Sequence, residues 1–376
     1  MKALDYIETR HKLHELAEPS GEECKTQAFI LDTLQAFKPT KVHTFEETKS
    51  IVAVYDFGSG PVTLVRGDFD AVRVPETLEL SYASQTLGVA HKCGHDGHTT
   101  ILLGLAEQLH LHPLEKGTVL LLFQAAEETG AGAQQLLDTK ILDRYHPNKA
   151  FALHNIPGEP IGTVLCKTES FTCAVVSCDI ELHGRTSHAA EPLKAISPYP
   201  TAKTITDKVL ALNHYNMMQA DYCLATLVEF RVGEQAYGVT AGHGVLRFTL
   251  RAKDDQVLQQ AKDAVCKIVE DAVAVCDGLT SQVSWKEYFA ASKNHPDAVA
   301  QVQAAASNNG LPYKQLELPF SWGEDFGLFT QHYDGALLGL GSGEQQPPLH
   351  HQLFNFPDEL VPIGVRLFYQ ILESQQ

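Results

Sequence analysis

Positive charge is scarce in this chain. Its 376 residues carry 29 Lys and Arg against 46 Asp and Glu, a net charge of -17. A nucleic-acid-binding surface needs a basic footprint, so that class of partner is set aside. A small anionic substrate is not, because a local pocket can oppose the global sign. Long apolar runs are missing. No stretch approaches the roughly 18 residues of a membrane span, and Met1-Lys2-Ala3-Leu4-Asp5 leads into no apolar segment of the signal-peptide kind. The 8 cysteines show no framework spacing. Without an export signal they are expected to be reduced, in a cytoplasmic protein with no membrane partner. Internal repeats and low-complexity segments are absent too. The length, with 44% hydrophobic and 20% charged residues, predicts a globular enzyme of two domains.

What is present is concentrated in one stretch, His91-Lys92-Cys93-Gly94-His95-Asp96-Gly97-His98. It sets a thiol, three imidazoles and a carboxylate within a tight turn that its two glycines permit. Thiolate and imidazole suit zinc and similar divalent ions. No second Cys-x-x-Cys follows, so the pattern is not that of a closed structural site. A catalytic site borrows distant ligands and keeps a position open, and the rest of the chain is expected to supply them.

Residues 3–37 read as two helices broken at Glu18-Pro19-Ser20-Gly21, with Ser20 and Glu23 as a capping box for the second. Strands are predicted at 50–56 and 62–66, the latter running into Gly67-Asp68-Phe69-Asp70-Ala71. Two carboxylates at the carboxyl end of a strand lie where an open α/β sheet places its site; the plain alternative is a solvated loop with a helix cap. Helical periodicity covers 98–111, with Asp96 as its N-cap. A continuous apolar strand, 119–123, leads to Gln124-Ala125-Ala126-Glu127-Glu128. Adjacent acids there are costly unless paired or metal-bound, although a helix start would also favour them. Another strand ends in His154-Asn155; a lone histidine in that place is either a hydrogen-bonded structural residue or a ligand. Alternating strands and helices predict a sheet flanked by helices.

From about residue 168 the pattern changes to strand–helix–strand–strand–helix–strand over 171–288. It predicts a separate α+β domain with a four-stranded antiparallel sheet. The expected division is therefore 1–167 with 289–376, and 168–288. The inserted part carries Ser187-His188-Ala189-Ala190. After it come a helix at 296–309, the acidic loop Ser321-Trp322-Gly323-Glu324-Asp325-Phe326, a strand at 335–340, Leu349-His350-His351, and a closing helix at 358–374.

Taken in order, Arg66-Gly67-Asp68-Phe69-Asp70-Ala71, His91 to His98, Phe123-Gln124-Ala125-Ala126-Glu127-Glu128, Leu153-His154, Ser187-His188-Ala189-Ala190, Glu324-Asp325-Phe326 and Leu349-His350 span almost the whole chain. Together they resemble the amidohydrolase branch of the aminoacylase/carboxypeptidase metallopeptidases. That branch includes hippurate hydrolases, N-acyl-amino-acid amidohydrolases, auxin-conjugate hydrolases and N-acetyldiaminopimelate deacetylases. The resemblance implies an α/β catalytic domain split by an inserted domain that serves as lid and dimerisation surface. It implies two divalent ions per subunit, of zinc, manganese, cobalt or nickel, held by Cys93, His95, Glu128, His154 and His350. It further implies Glu127 as general base, Asp68 and Asp70 as supporting acids, and His188 as the donor that steadies a developing oxyanion. The function expected is hydrolysis of the amide bond of N-acyl amino acids or related small amides by a metal-bound hydroxide, in a homodimer. The rivals are a dipeptidase or carboxypeptidase using the same site, a cysteine hydrolase built on Cys93 and His95, and a catalytically altered metal-binding relative.

One element departs from the resemblance. Relatives carry Asn-x-Ile-Pro on a lid strand, where this chain has Tyr237-Gly238-Val239-Thr240-Ala241. Gly238 offers no side chain to a substrate. Arg251 matches an arginine that is more often structural. Arg73 or Arg185 is left as the candidate for anion recognition.

Overall fold

A computed structural model describes residues 3–376. The chain divides into two compact units. The first holds the described residues up to Phe171 with Ser292–Glu317 and Glu324–Gln376; the second holds Thr172–Ala291 with Leu318–Gly323. The sequence reading put the last segment in the catalytic domain. It joins the second unit because Thr172 bridges Phe320 and the Cys173 N–H donates to Phe320 O.

The first unit is built on an eight-stranded mixed sheet in the order β1-β2-β4-β3-β5-β14-β6-β13. These strands are β1 (Lys41–Thr44), β2 (Ile51–Asp56), β3 (Val62–Asp68), β4 (Thr118–Gln124), β5 (Lys149–Ile156), β6 (Val164–Cys166), β13 (Tyr313–Gln315) and β14 (Asp334–Gly341). A two-stranded sheet pairs β7 (Glu169–Ser170) with β12 (Lys293–Asn294). The central four, β4-β3-β5-β14, are parallel. Their apolar runs are buried on both faces, as parallel strands require. Alternate residues separate the two faces. Val119, Leu121, Phe123, Phe151, Leu153, Ala336 and Leu338 join the large core. Five helices share it: α1 (Tyr6–Leu16), α2 (Cys24–Gln35), α3 (His95–Leu111), α7 (Pro296–Asn308) and α9 (Leu360–Glu373). Two short helices, α4 (Gly132–Asp138) and α8 (Gly327–Thr330), complete the unit. Because the central strands are parallel, the carboxyl ends of β3, β4 and β5 lie side by side.

The second unit holds an antiparallel sheet in the order β11-β8-β10-β9. Its strands are β8 (Ala174–His183), β9 (Cys223–Val232), β10 (His243–Ala252) and β11 (Thr280–Phe289). Helices α5 (Tyr199–Leu210) and α6 (Asp255–Ala274) cover one face through Ile205, Val209, Leu258, Val265 and Val269. This is the mixed α/β fold with a separate four-stranded antiparallel sheet that the pattern predicted.

Two local expectations are corrected. Asp96 is not an N-cap: α3 starts at His95 behind Gly94, and Asp96 sits inside the helix. Its Oδ2 accepts from His14 Nδ1 at 2.7 Å and faces Arg10 Nη1 at 3.4 Å. Ser20 and Glu23 form no capping box either. Glu18 Oε2 accepts from the N–H groups of Lys25 and Thr26, Ser20 Oγ donates to Asp70, and Glu23 turns inward. All 8 cysteines are free thiols. Among the described residues no helix is long and apolar enough to cross a membrane.

Candidate metal and catalytic centre

The carboxyl ends of β3, β4 and β5 deliver Asp68, the Glu127–Glu128 pair and His154 to one edge of the sheet. The loop into α3 adds Cys93 and His95. Gly94 makes the approach possible: it adopts φ 99, and a Cβ there would lie 2.5 Å from Asn155 Oδ1. His350 arrives on a left-handed residue of its own, φ 63, and its N–H donates to Lys92 O at 2.7 Å.

The donor atoms converge. Those of Cys93, His95 and His154 lie within 4.8 Å of one another, as do those of Cys93, Glu128 and His350, and those of His95, Glu127 and Glu128. Cys93 Sγ is 3.6 Å from His154 Nε2. Glu128 Oε1 is 3.7 Å from His95 Nε2 and 3.3 Å from His350 Nε2. His351 is turned to local work instead, its Nδ1 accepting from Leu353 N–H. The structure therefore brings together Cys93, His95, Glu127, Glu128, His154 and His350, with Asp68 and Asp70 beside them. His188 lies in the second unit, exposed, and its Nδ1 accepts from Ala190 N–H at 3.0 Å.

Hydrogen bonds orient these rings. His95 Nδ1 donates to Asp70, to its backbone O at 3.0 Å and Oδ1 at 3.2 Å. His154 Nδ1 donates to Asn155 O at 2.9 Å. Both therefore present Nε2 to the centre, the tautomer a metal ligand needs. His95 Nε2 and Glu128 Oε1 are buried without a hydrogen-bond partner among the described residues. Such orphaned atoms are costly, and a divalent ion would satisfy both. The charge balance points the same way. Burial, with Glu128 and Glu127 nearby, holds the Cys93 thiol well above its ordinary range. Burial, with Glu324, Glu128 and Asp325 nearby, likewise pushes Glu127 up. Cys/His/carboxylate chemistry and excess acid together fit a divalent-ion centre.

Beneath the centre lies a buried ion network that the motifs contained but whose role spacing could not reveal. Arg66 is fully buried. It donates to Asp68 Oδ2 at 2.5 Å, Glu324 Oε1 at 2.9 Å, Asp325 Oδ1 at 2.7 Å and Gln124 Oε1 at 3.0 Å. Burial alone would raise Asp68, but Arg66, His95 and His98 outweigh it and hold that carboxyl well below its usual range. Asp325 is pushed up to about 8 by burial, which Arg66 only partly offsets. His98 links Asp68 Oδ1 at 2.6 Å to Asn155 Oδ1 at 2.7 Å. A second network secures the loop from below: Glu76 bridges His14 Nε2 at 2.7 Å and Lys92 Nζ at 2.6 Å. Sequence reasoning missed Glu23, whose Oε1 accepts from Ala126 N–H at 2.9 Å. Ala126 takes a left-handed φ of 55 immediately before the acid pair. Nothing in the local pattern marks a contact across 103 residues.

The two candidates for anion recognition are both engaged. Arg73 Nη2 donates to Glu22 Oε1 at 2.8 Å, and Arg185 donates to Lys194 O through Nε and Nη2. Arg251 Nη1 donates to Ser321 O at 3.0 Å.

Comparison with known proteins agrees with this geometry. Residues 64–374 match the model of peptidase family M20/M25/M40. The chain is 28% identical over 361 residues to an N-acetyldiaminopimelate deacetylase of Bacillus subtilis (strain 168), covering 96% of this chain and 95% of that one. It is 29% identical over 379 residues to the N-acetyldiaminopimelate deacetylase of Streptococcus pneumoniae (strain CGSP14), covering 99% of each. Among solved structures it superposes on the YXEP protein of Bacillus subtilis, described as a dinuclear metal binding peptidase from the M20 family. The TM-score is 0.82 at 24% identity, over 98% of this chain and 96% of that one. A tripeptidase from Staphylococcus aureus gives a TM-score of 0.74 at 15% identity, covering 98% and 97%. The chain belongs to peptidase family M20/M25/M40 and is a metal-dependent hydrolase of amide bonds.

Proposed function

We propose that the chain hydrolyses the amide bond of N-acyl amino acids or related small amides, with Glu127 as general base. One observation carries this reading. Glu128 turns its carboxylate to the Nε2 atoms of His95 and His350, while its neighbour Glu127 is buried with a carboxylate oxygen within 4.8 Å of the His95 and Glu128 donor atoms. The deacetylase relatives, by name, act on an N-acetylated amino acid, which favours the acyl reading over the dipeptidase or carboxypeptidase reading.

Cys93, His95, Glu128, His154 and His350 would hold two divalent ions, of zinc, manganese, cobalt or nickel, in two donor groups that share Cys93. Divalent ions in such a site acidify water and polarise a carbonyl. Glu127 takes a proton from the attacking water as its oxygen bonds to the acyl carbon. It then delivers that proton to the amine nitrogen as the C–N bond breaks. Its burial among Glu324, Glu128 and Asp325 raises its proton affinity, the direction a base needs. Asp70 holds the His95 ring; Asp68 holds His98. His188 accepts at Nδ1, so its proton sits on Nε2. That N–H is the donor proposed for the oxyanion. The second unit is proposed as lid and dimerisation surface, with β9 and β11 as its sheet edges. Because Gly238 has no side chain, recognition of a substrate carboxylate falls to Arg73 or Arg185. An Ala substitution of the residue responsible raises KM for acidic substrates.

The test is a panel of N-acetyl, N-benzoyl and dipeptide substrates, offered to the metal-stripped protein with each metal added back singly. Metal-dependent release of amino acid from N-acyl substrates is expected. Glu127→Gln abolishes turnover while metal content stays at the wild-type level. Turnover surviving in that variant refutes the assignment.

A further inference from the structure

Residues two apart on a strand share a face, and directly opposed residues on antiparallel neighbours bring their Cβ atoms to about 5 Å. At one end of the second unit's sheet these rules gather three donors. Glu181 and His183 are two apart on β8, and His243 on β10 stands opposite His183. We propose that Glu181, His183 and His243 form a binding site for a divalent transition ion of the zinc, cobalt or nickel class. It uses none of the residues assigned above.

The distances carry this proposal. Glu181 Oε2 lies 3.5 Å from His183 Nε2 and 3.8 Å from His243 Nε2. The two rings are 5.0 Å apart and tilted by 30°. All three donor atoms fall within 4.8 Å of one another. A tetrahedral ion with N and O ligands at roughly 2.0–2.2 Å sets those ligands about 3.4 Å apart. Both separations from the carboxylate lie close to that edge, and both exceed a good hydrogen-bond length. Each side chain is about half exposed, at 46–47%, so an ion reaches the donors without opening the fold. The strands already hold the backbones in register, so little ordering opposes binding. Two imidazoles and one carboxylate select borderline ions over calcium or magnesium, which take oxygen ligands.

The position gives the site a consequence. His183 ends β8 and His243 begins β10, and the adjoining Gly184 N–H donates to Gly242 O at 2.8 Å. The loop after His183 carries His188. The loop before His243 carries Val239, which bridges His188. An ion shared by the two histidines ties down the base of both loops.

The experiment uses the purified protein with its own metal complement, titrated with Zn²⁺ by calorimetry. The wild type is expected to take up one ion more than a His183→Gln/His243→Gln double variant, and Glu181→Gln weakens that event. Equal uptake at equal affinity by wild type and double variant overturns the proposal. A second measurement needs no variant. Zn²⁺ should protect His183 and His243 from diethyl pyrocarbonate, as mapped by mass spectrometry; unprotected modification of both overturns it as well.

Discussion

Replacing Arg66 by Met should be among the most destabilising single changes available in the first unit. Arg66 makes five hydrogen bonds, one to Gln124 and the rest to Asp68, Glu324 and Asp325. The arginine and all three acids are buried. Methionine fills much of the same volume but leaves those acids without their cation. Breaking a buried pair by removing one partner costs about 3–5 kcal/mol, against a total stability of about 5–15 kcal/mol. Met at 66 therefore removes a large share of the unit's stability, and nearly all of it where the total lies at the low end of that range. Lysine keeps the charge but has three donors for five bonds, and its point charge cannot fork. Losing two bonds to charged groups, at about 1.5–3 kcal/mol each, makes Arg66→Lys cost about 3 kcal/mol or more. Urea unfolding followed by far-UV circular dichroism reads both, and high salt should not mimic them, because buried pairs are screened little. An Arg66→Met protein within about 1 kcal/mol of wild type would mean that the acids find other compensation, and the network argument would be wrong.

Three further outcomes are expected. In Glu76, burial raises the carboxyl but His14 and Lys92 outweigh it and lower it from 4.5 to about 2. Its contribution, about 3 kcal/mol at ~1.4 kcal/mol per pH unit, is present above pH 4.5 and lost as pH falls through 2; unfolding of Glu76→Gln against pH should show a deficit that closes in acid. Glu23 runs the other way, pushed from 4.5 up to about 7 by burial and Asp70. The wild type should lose about 3 kcal/mol relative to Glu23→Gln as pH rises from 4.5 through 7. Glu23→Gln keeps an acceptor for Ala126 N–H and retains activity, whereas Glu23→Ala orphans that donor, at about 1–3 kcal/mol, and lowers kcat more than stability alone explains. At Gly238 an added Cβ meets nothing within 4 Å, so Gly238→Asn should fold with an unchanged melting temperature. A lower KM for N-acyl amino acids in that variant would show that the missing side chain matters to recognition.

The fold was legible where burial imposes a period. The apolar run 119–123 and the helical spacing after residue 98 correspond to β4 and α3, and the strand–helix alternation of the inserted part matches β8 to β11 with α5 and α6. Short strands such as β1, β6 and β13 escaped because three or four residues carry too little pattern. Caps were misread for a related reason. Ser20, Glu23 and Asp96 have the chemistry of caps, but each had a better partner far away in sequence: Asp70, Ala126 N–H and His14. Local propensity loses to a buried long-range bond, because an unpaired buried polar group costs more than a missing cap.

The same competition explains how this site is built. Several groups at its centre are held by a second residue: the His95 ring by Asp70, the His98 ring by Asp68, and the backbone N–H groups of Glu128 and Ala126 by Asp70 and Glu23. The acids of this cluster repel one another, Glu127 against Glu324, Glu128 and Asp325, so the fold holds them by strained turns and by buried cations. Ala126 and His350 at positive φ are the turns; Arg66 and Lys92 are the cations. It follows that the supporting residues and the proposed ligands should fail differently. Loss of Cys93 removes metal affinity and leaves metal-free stability little changed, because burial and the nearby acids hold its thiol well above the ordinary range and so uncharged. Loss of Arg66 or Glu76 removes stability first and affects metal only through misplacement. Measuring metal content and unfolding free energy on the Cys93, Arg66 and Glu76 variants separates the two classes, and a Cys93 variant as destabilised in metal-free buffer as the Arg66 variant would contradict this division.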